Sequence, residues 1–132
     1  MSLLSMNLTG VLLAVTDPFR PPEFVPPPTP REYLAERCEE VGCDFVLLDT
    51  IIFCESTWRM VKNSSSSAFG YFQIIDGTEK TTPQYAAGLR KFDPYANIDM
   101  GIYLNSKRGT NPWNESKGCW QWRYRQAMAE LE

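Results

Sequence analysis

The sequence predicts a mainly helical fold, a single compact domain with a small strand or loop element. A chain of 132 residues supports one hydrophobic core. Its composition of 43% apolar and 22% charged residues is that of a globular protein. Several stretches also combine helix-capping residues with apolar side chains at helical spacing. We expect the domain over residues 30–122, between a leader over 1–29 and a C-terminal helical tail over 123–132.

The predicted leader is rich in proline. Seven of the ten prolines lie between Pro18 and Pro30, a composition typical of an extended, semi-rigid tether. The apolar stretch from Leu3 to Val15 precedes it. That stretch is too short to cross a membrane and lacks the basic region of a signal peptide, so a trimmed anchor and a disordered leader both stay open. We expect no stable insertion of this chain into a membrane.

Local signals predict the first helix. Thr29 and Glu32 match a capping box, and a proline stands at the first helical position. These residues predict a helix over Pro30–Val41 that ends at Gly42, a glycine suited to the left-handed position after a helix. Asp44 is then a fitting N-cap for the next helix.

The second helix, from Phe45 to about Trp58, is apolar on nearly all sides and should lie in the middle of the domain. Glu55 continues an apolar stripe on this helix, at the spacing of helical neighbours. Burial should raise the pKa of its carboxyl group, as a general acid near neutral pH requires. A solvent-exposed acid at the end of a helix is the alternative interpretation.

The middle of the chain is less regular. Asn63–Ala68 is a serine-rich run that predicts a loop. Phe69–Ile75, in which aromatic residues flank a glycine, predicts a short strand-like or helical turn. A mixed pattern then predicts one irregular helix around Gln84 to Arg90.

Two more helices complete the prediction. Asp93 is a cap followed by proline, and apolar spacing continues the helix until Gly109. The segment Asn111 to Asn114 predicts a turn. Ser116 is then placed to cap a last helix that carries Cys119.

The chain contains no histidine. This absence excludes a Ser-His-Asp triad, a Cys-His pair and histidine-containing zinc sites. Acid–base chemistry near neutral pH must therefore come from a carboxylate, tyrosine, lysine or cysteine. The net charge of -3 provides no basic surface for nucleic acid. We expect no metal, no cofactor and no nucleic-acid partner.

Four cysteines, at positions 38, 43, 54 and 119, form an even set in a small chain. Their spacing does not suit zinc, and it favours disulfides and a compartment outside the cytoplasm. Reduced cysteines in the core are the alternative. Since four cysteines allow three connectivities, the pattern alone does not decide the pairing.

Three segments carry a resemblance: C-E-S-T-W at 54–58, S-S-A-F-G-Y-F-Q-I-I at 66–75 and F-D-P-Y-A-N-I-D-M-G-I-Y-L at 92–104. In this order and spacing they resemble the soluble lytic transglycosylases, enzymes of lysozyme-like fold that cleave peptidoglycan. That family has a helix ending in E-S, a serine-containing loop with a G-L-x-Q stretch, and an N-I-x-x-G-x-x-Y-L helix. The matching residues are Glu55-Ser56, Ser67-Ala68, Gly70-Tyr71-Phe72-Gln73, Asn97-Ile98, Gly101 and Tyr103-Leu104.

The chain also departs from the family pattern. Its G-Y-F-Q replaces the usual G-L-M-Q. The family often has a proline after this stretch, and this chain has Asp76 there instead. The segment from Pro112 to Trp120 is more similar to small secreted or cell-envelope variants. In those variants the cysteine before the catalytic glutamate is a natural partner for a late cysteine, so the resemblance implies a Cys54–Cys119 disulfide. The other two cysteines would pair locally or stay free.

The resemblance implies that Glu55 is catalytic. Protonated Glu55 would donate to the glycosidic oxygen between N-acetylmuramic acid and N-acetylglucosamine, and its carboxylate would then take the proton of the muramic acid 6-hydroxyl. The product would be a 1,6-anhydro end. The residues implied in substrate binding are Ser56, Ser67, Gly70, Tyr71, Gln73 and Tyr103. The implied partner is the peptidoglycan glycan strand, outside the cytoplasm, with the enzyme acting as a monomer.

Each assignment has an alternative. A goose-type muramidase would use water and a second carboxylate, for which Asp76 or Asp49 is the candidate. A peptidoglycan- or chitin-binding module would keep the cleft without turnover. Tyr103 is as consistent with the core as with the site, whereas Tyr71, beside a glycine, is the better candidate for stacking on a sugar than the four tryptophans.

Overall fold

The structure, a computed structural model, describes residues 17–132. Residues 1–16, and with them the stretch from Leu3 to Val15, lie outside the described residues. Residues 17–29 form a turn and an extended segment without a helix. The end of that segment contacts the domain, because the Tyr95 hydroxyl donates to the Pro28 carbonyl oxygen over 2.6 Å.

The described chain is mainly helical, with 58% helix and 3% strand, which confirms the mainly-α prediction. In the place of the predicted strand-like turn, two isolated bridges pair Phe69 with Lys62 and with Ile74. The helices, in chain order, are α1 Pro30–Val41, α2 Phe45–Ser56, α3 Asp76–Glu79, α4 Pro83–Ala86, α5 Pro94–Arg108, the 3₁₀ helix Asn111–Ser116 and α6 Lys117–Glu130.

The caps explain why α1 and α5 lie where the sequence predicts them. The Thr29 hydroxyl accepts from the Glu32 amide, and the Glu32 carboxylate accepts from the Thr29 amide over 2.9 Å. Gly42 ends α1 at φ 84°, in the left-handed region that favours glycine. The Asp93 carboxylate accepts from the Ala96 amide over 2.8 Å and starts α5.

Two predicted boundaries are wrong. Helix α2 ends at Ser56 because Thr57 and Trp58 both adopt left-handed backbone angles, with φ of 51° and 58°. The irregular helix predicted around Gln84 to Arg90 is α4, which starts earlier at Pro83 and stops at Ala86. The turn predicted over Asn111 to Asn114 is part of the 3₁₀ helix.

Helix α2 lies in the centre, where it packs against α1, α6 and the 3₁₀ helix. It contributes Leu48, Ile51 and Ile52, all fully buried, to a core that also contains residues of α5. The last residues of α2 therefore come out of the core beside the 3₁₀ helix. This position brings Glu55 to the wall of a cleft.

We expect Gly101→Ala to destabilise the fold. A β-carbon at position 101 would lie 2.1 Å from the Cδ2 atom of Phe72, a ring that is itself fully buried. Overpacking of this kind should lower the free energy of unfolding by about 1–3 kcal/mol, measured by urea denaturation.

Gly118 in α6 provides the matched control for that substitution. A β-carbon there meets nothing within 4 Å. Because alanine favours helix over glycine, Gly118→Ala should leave stability unchanged or raise it by up to about 1 kcal/mol. Equal losses in the two variants would contradict the close packing of α5 on Phe72.

Candidate active site

A cleft of about 650 Å³ runs beside the end of α2. Amide side chains and apolar surface line it together, a combination that suits a ligand with hydroxyl and amide groups. The amide residues of the lining are Asn63, Gln73, Asn111 and Asn114, and its large apolar residues include Phe72, Ile74, Ile75, Leu104 and Trp113. Glu55 and Glu115 are the acids of this lining, and Arg108 is its cation.

Glu55 has the environment of a general acid. Burial raises the pKa of its carboxyl group, and the nearby charge of Glu115 raises it as well. The Ser116 hydroxyl donates to Glu55 Oε2 over 2.6 Å, which lowers the pKa, but the net shift is upward. A carboxyl group with a raised pKa keeps more of its proton near neutral pH and can give it to a ligand in the cleft.

Ser116 and Glu115 are site residues that the sequence analysis missed. Ser116 was predicted as the cap of the last helix, and it does precede α6, but its side chain caps no amide there. Its hydroxyl bonds to Glu55 instead, 61 positions away in the sequence. The implied disulfide was the signal that could have found both residues, since Cys119 follows them closely and Cys54 precedes Glu55.

The structure contains two disulfides, Cys54–Cys119 and Cys38–Cys43. The first is the pairing that the resemblance implies, and it links α2 to α6 beside the Glu55–Ser116 hydrogen bond. Two disulfides are compatible with a protein outside the cytoplasm. Among residues 17–132, no helix has the length and apolarity to cross a membrane.

Substitutions at Ser116 and Glu115 should shift the pKa of Glu55 in opposite directions. Ser116→Ala removes a donor that stabilises the carboxylate, so the pKa should rise. Glu115→Gln removes a nearby negative charge, so the pKa should fall. Carbon-13 NMR titration of the labelled glutamate carboxyl groups measures both shifts without a substrate.

Glu130→Gln is the control for these titrations, because Glu130 is an exposed acid of α6 outside the cleft lining. Glu130→Gln should leave the pKa of Glu55 unchanged. Shifts of the same sign in the Ser116 and Glu115 variants would mean that the site has rearranged.

The proposed second carboxylates lie elsewhere. Asp76 is exposed and accepts from Lys91 Nζ over 2.7 Å, and this hydrogen bond lowers the pKa of Asp76. Asp49 forms two hydrogen bonds with Arg31 and accepts a third from the Trp58 indole. Neither residue lines the cleft of Glu55. The acid that does accompany Glu55 there is Glu115.

Three of the residues implied in substrate binding have structural contacts. The Ser56 hydroxyl is buried and donates to the Tyr71 carbonyl oxygen over 2.9 Å. The Ser67 hydroxyl accepts from the Asp76 amide over 2.8 Å. Gly70 has φ 85°, and a β-carbon there would lie 2.2 Å from Asn97 Nδ2. These residues shape the loop behind the cleft and do not line the cleft itself.

Gln73 lies in the cleft wall, whereas Tyr71 does not. Gln73 has a left-handed backbone, with φ 50°, and its amide nitrogen donates to the carbonyl oxygens of Val61 and Gly70. Tyr71 is only 7% exposed and packs its ring against Trp58. The predicted stacking role of Tyr71 therefore has no exposed ring surface to support it.

Tyr103 lies outside the cleft of Glu55, because the spacing of its helix motif differs by one residue from the family pattern. The family pattern places two residues between the glycine and the tyrosine of this helix, whereas only one lies between Gly101 and Tyr103. One residue turns a helix position by about 100°. Leu104 consequently lines the cleft, and Tyr103 lines another groove, of about 330 Å³, together with Asp99.

Comparisons with known proteins return no relative of this chain. No family model, no curated protein and no solved structure matches it. The resemblance to the transglycosylases consequently stays a prediction from the motifs, and the chemistry of the cleft is the ground on which a function can be proposed.

Proposed function

We propose that this protein is a peptidoglycan lytic transglycosylase of lysozyme-like fold, and that Glu55 is its catalytic acid and base. The observation that carries the proposal is a half-buried glutamate with a raised pKa in a cleft lined by amides and apolar side chains. The order of the E-S and serine-loop motifs, followed by Asn97, Ile98 and Gly101, supports the same assignment.

The proposed reaction needs one carboxyl group. Protonated Glu55 gives its proton to the glycosidic oxygen as the bond from that oxygen to C1 of N-acetylmuramic acid breaks. The resulting carboxylate then takes the proton of the 6-hydroxyl of the same sugar, whose oxygen bonds to C1. The proton lost in the first step is recovered in the second, and no water is consumed. Ser116 supports this cycle, because its hydroxyl can donate to the carboxylate form that exists between the two steps.

Hydrolysis is the second candidate, and Glu115 is the observation that favours it. A muramidase uses a second carboxylate to activate water or to stabilise the developing positive charge. Glu115 lines the same cleft as Glu55, and its charge acts on the pKa of Glu55. In this reaction the product would carry a reducing end.

Analysis of the products separates these functions. Purified peptidoglycan is digested with the full chain, disulfides intact, and the released muropeptides are weighed by mass spectrometry. A 1,6-anhydro end is lighter by one water than a reducing end. Anhydro ends support the transglycosylase, and reducing ends overturn it in favour of the muramidase. Binding without release would indicate a non-catalytic module.

We also propose that the protein acts on the glycan strand as a monomer outside the cytoplasm. The two disulfides support this location, since such bonds persist in oxidising compartments. Peptidoglycan also lies outside the cytoplasm.

A further inference from the structure

Arg108 lines the cleft and has no partner among the described side chains. It is the last residue of α5, it is exposed, and it is the cation of the described cleft lining. Within residues 17–132 its guanidinium forms no hydrogen bond and no ion pair. An arginine directed to a cleft without a protein partner is available to a ligand.

Two lysines near this wall, Lys62 and Lys91, already have partners. Lys62 Nζ donates to the carbonyl oxygens of Asn63 and Ser66, each over 3.1 Å. Lys91 Nζ is buried and donates to the Ser67 carbonyl oxygen and to Asp76. These two lysines hold the loop in place, whereas Arg108 is the cation that lines the described cleft and faces a negatively charged group that enters it.

We propose that Arg108 binds a carboxylate of the substrate, so that the cleft selects an acidic glycan over neutral chitin. This inference rests on the proposed function and deepens it. A guanidinium presents a planar pair of donors that matches the two oxygens of a carboxylate. Chitin has amide and hydroxyl groups but no carboxylate, and the amides of the lining serve both glycans alike.

Two sources can supply that carboxylate. In intact peptidoglycan the stem peptides carry free carboxyl groups, whereas the lactyl group of each muramic acid is joined to its peptide. When an amidase removes the peptides, the lactyl carboxylates become free. The two forms of the strand offer the same chemistry to Arg108 from different positions.

Lys107 provides a matched control for Arg108. It stands in the same last turn of α5 and carries the same charge, so both residues interact favourably with the helix dipole. Its ammonium group lies 5.9 Å from the ring of Tyr103, which lines the groove of about 330 Å³ and not the cleft. A general effect of charge or of helix stability would appear in both variants.

The test measures the KM and kcat of the wild type, Arg108→Gln, Arg108→Lys and Lys107→Gln. The substrates are soluble peptidoglycan fragments with stem peptides and the same strands after amidase treatment, and affinity for a chitooligosaccharide of equal length is measured by calorimetry. Arg108→Gln should raise KM about tenfold on the form that supplies the carboxylate, with kcat unchanged. Arg108→Lys should recover part of that loss. Lys107→Gln should match the wild type throughout.

Each other outcome overturns a distinct statement. If the wild type cleaves the strands and Arg108→Gln matches it on both forms, the inference fails and the proposed function stands. An equal loss of affinity for the chitooligosaccharide also overturns the inference, since Arg108 would then not distinguish charge. If the wild type releases nothing from either form, the proposed function fails and the inference fails with it.

Discussion

Glu55→Gln should abolish the release of glycan fragments from peptidoglycan while the fold stays intact. Glutamine has no acidic proton to give to the glycosidic oxygen, and general acid catalysis alone contributes about 10²–10⁴ in rate. Because the proposed reaction uses the same carboxyl group as the base, we expect the loss to reach at least the upper end of that range. The amide oxygen of glutamine can still accept from the Ser116 hydroxyl, so the side chain keeps its place.

Two further variants make that result specific. Asp76→Asn should keep release, since Asp76 lies outside the cleft lining and the asparagine amide oxygen can still accept from Lys91 Nζ. Glu115→Gln separates the two reactions: a transglycosylase loses only the part of its rate that follows from the lower pKa of Glu55, whereas a muramidase that relies on Glu115 loses turnover. Circular dichroism and thermal unfolding establish that each variant is folded. Release that persists in the Glu55→Gln protein would show that another residue is the acid.

Removal of the Cys54–Cys119 disulfide should produce the largest loss of stability. The bond closes a loop with a sequence separation of 65 residues, and the chain-entropy relation assigns about 4 kcal/mol to a loop of this size. A Cys54→Ala/Cys119→Ala double variant tests this by urea denaturation. Activity should fall as well, because the bond holds the end of α2 close to Ser116.

The other disulfide is the matched control. Cys38 and Cys43 are separated by only 5 positions, for which the same relation gives about 2 kcal/mol. Cys38→Ala/Cys43→Ala should therefore lose about half as much stability. It should also keep the chemistry of the cleft, since neither cysteine lines it. If this variant loses more free energy of unfolding than Cys54→Ala/Cys119→Ala, loop length does not determine the contribution of the two disulfides.

Predictions from the sequence succeeded where the signal was local. The caps at Thr29, Asp44 and Asp93 each act on an amide three residues away, so α1, the start of α2 and α5 could be located from short stretches of sequence. The end of α2 could not. Thr57 and Trp58 adopt left-handed angles without being glycine or asparagine, and their composition carries no sign of this.

Only the part of the site that depends on local sequence could be predicted. The upward shift in the pKa of Glu55 follows from an apolar helix, which is a local property. The hydrogen bond from Ser116 and the charge of Glu115 depend on how the 3₁₀ helix meets α2, a contact between distant parts of the chain. Tyr103 was included in the site wrongly. Its motif differs from the family pattern by one residue, and its side chain lines another groove.

Lys91 gives the cleft a built-in reporter of its motion. Its side chain is 1% exposed, and its amine donates to the Ser67 carbonyl oxygen and to Asp76 in the loop that forms one wall of the cleft. An amine-reactive reagent can modify it only when that wall opens. The rate of its acylation in the native protein therefore measures how often these two hydrogen bonds open.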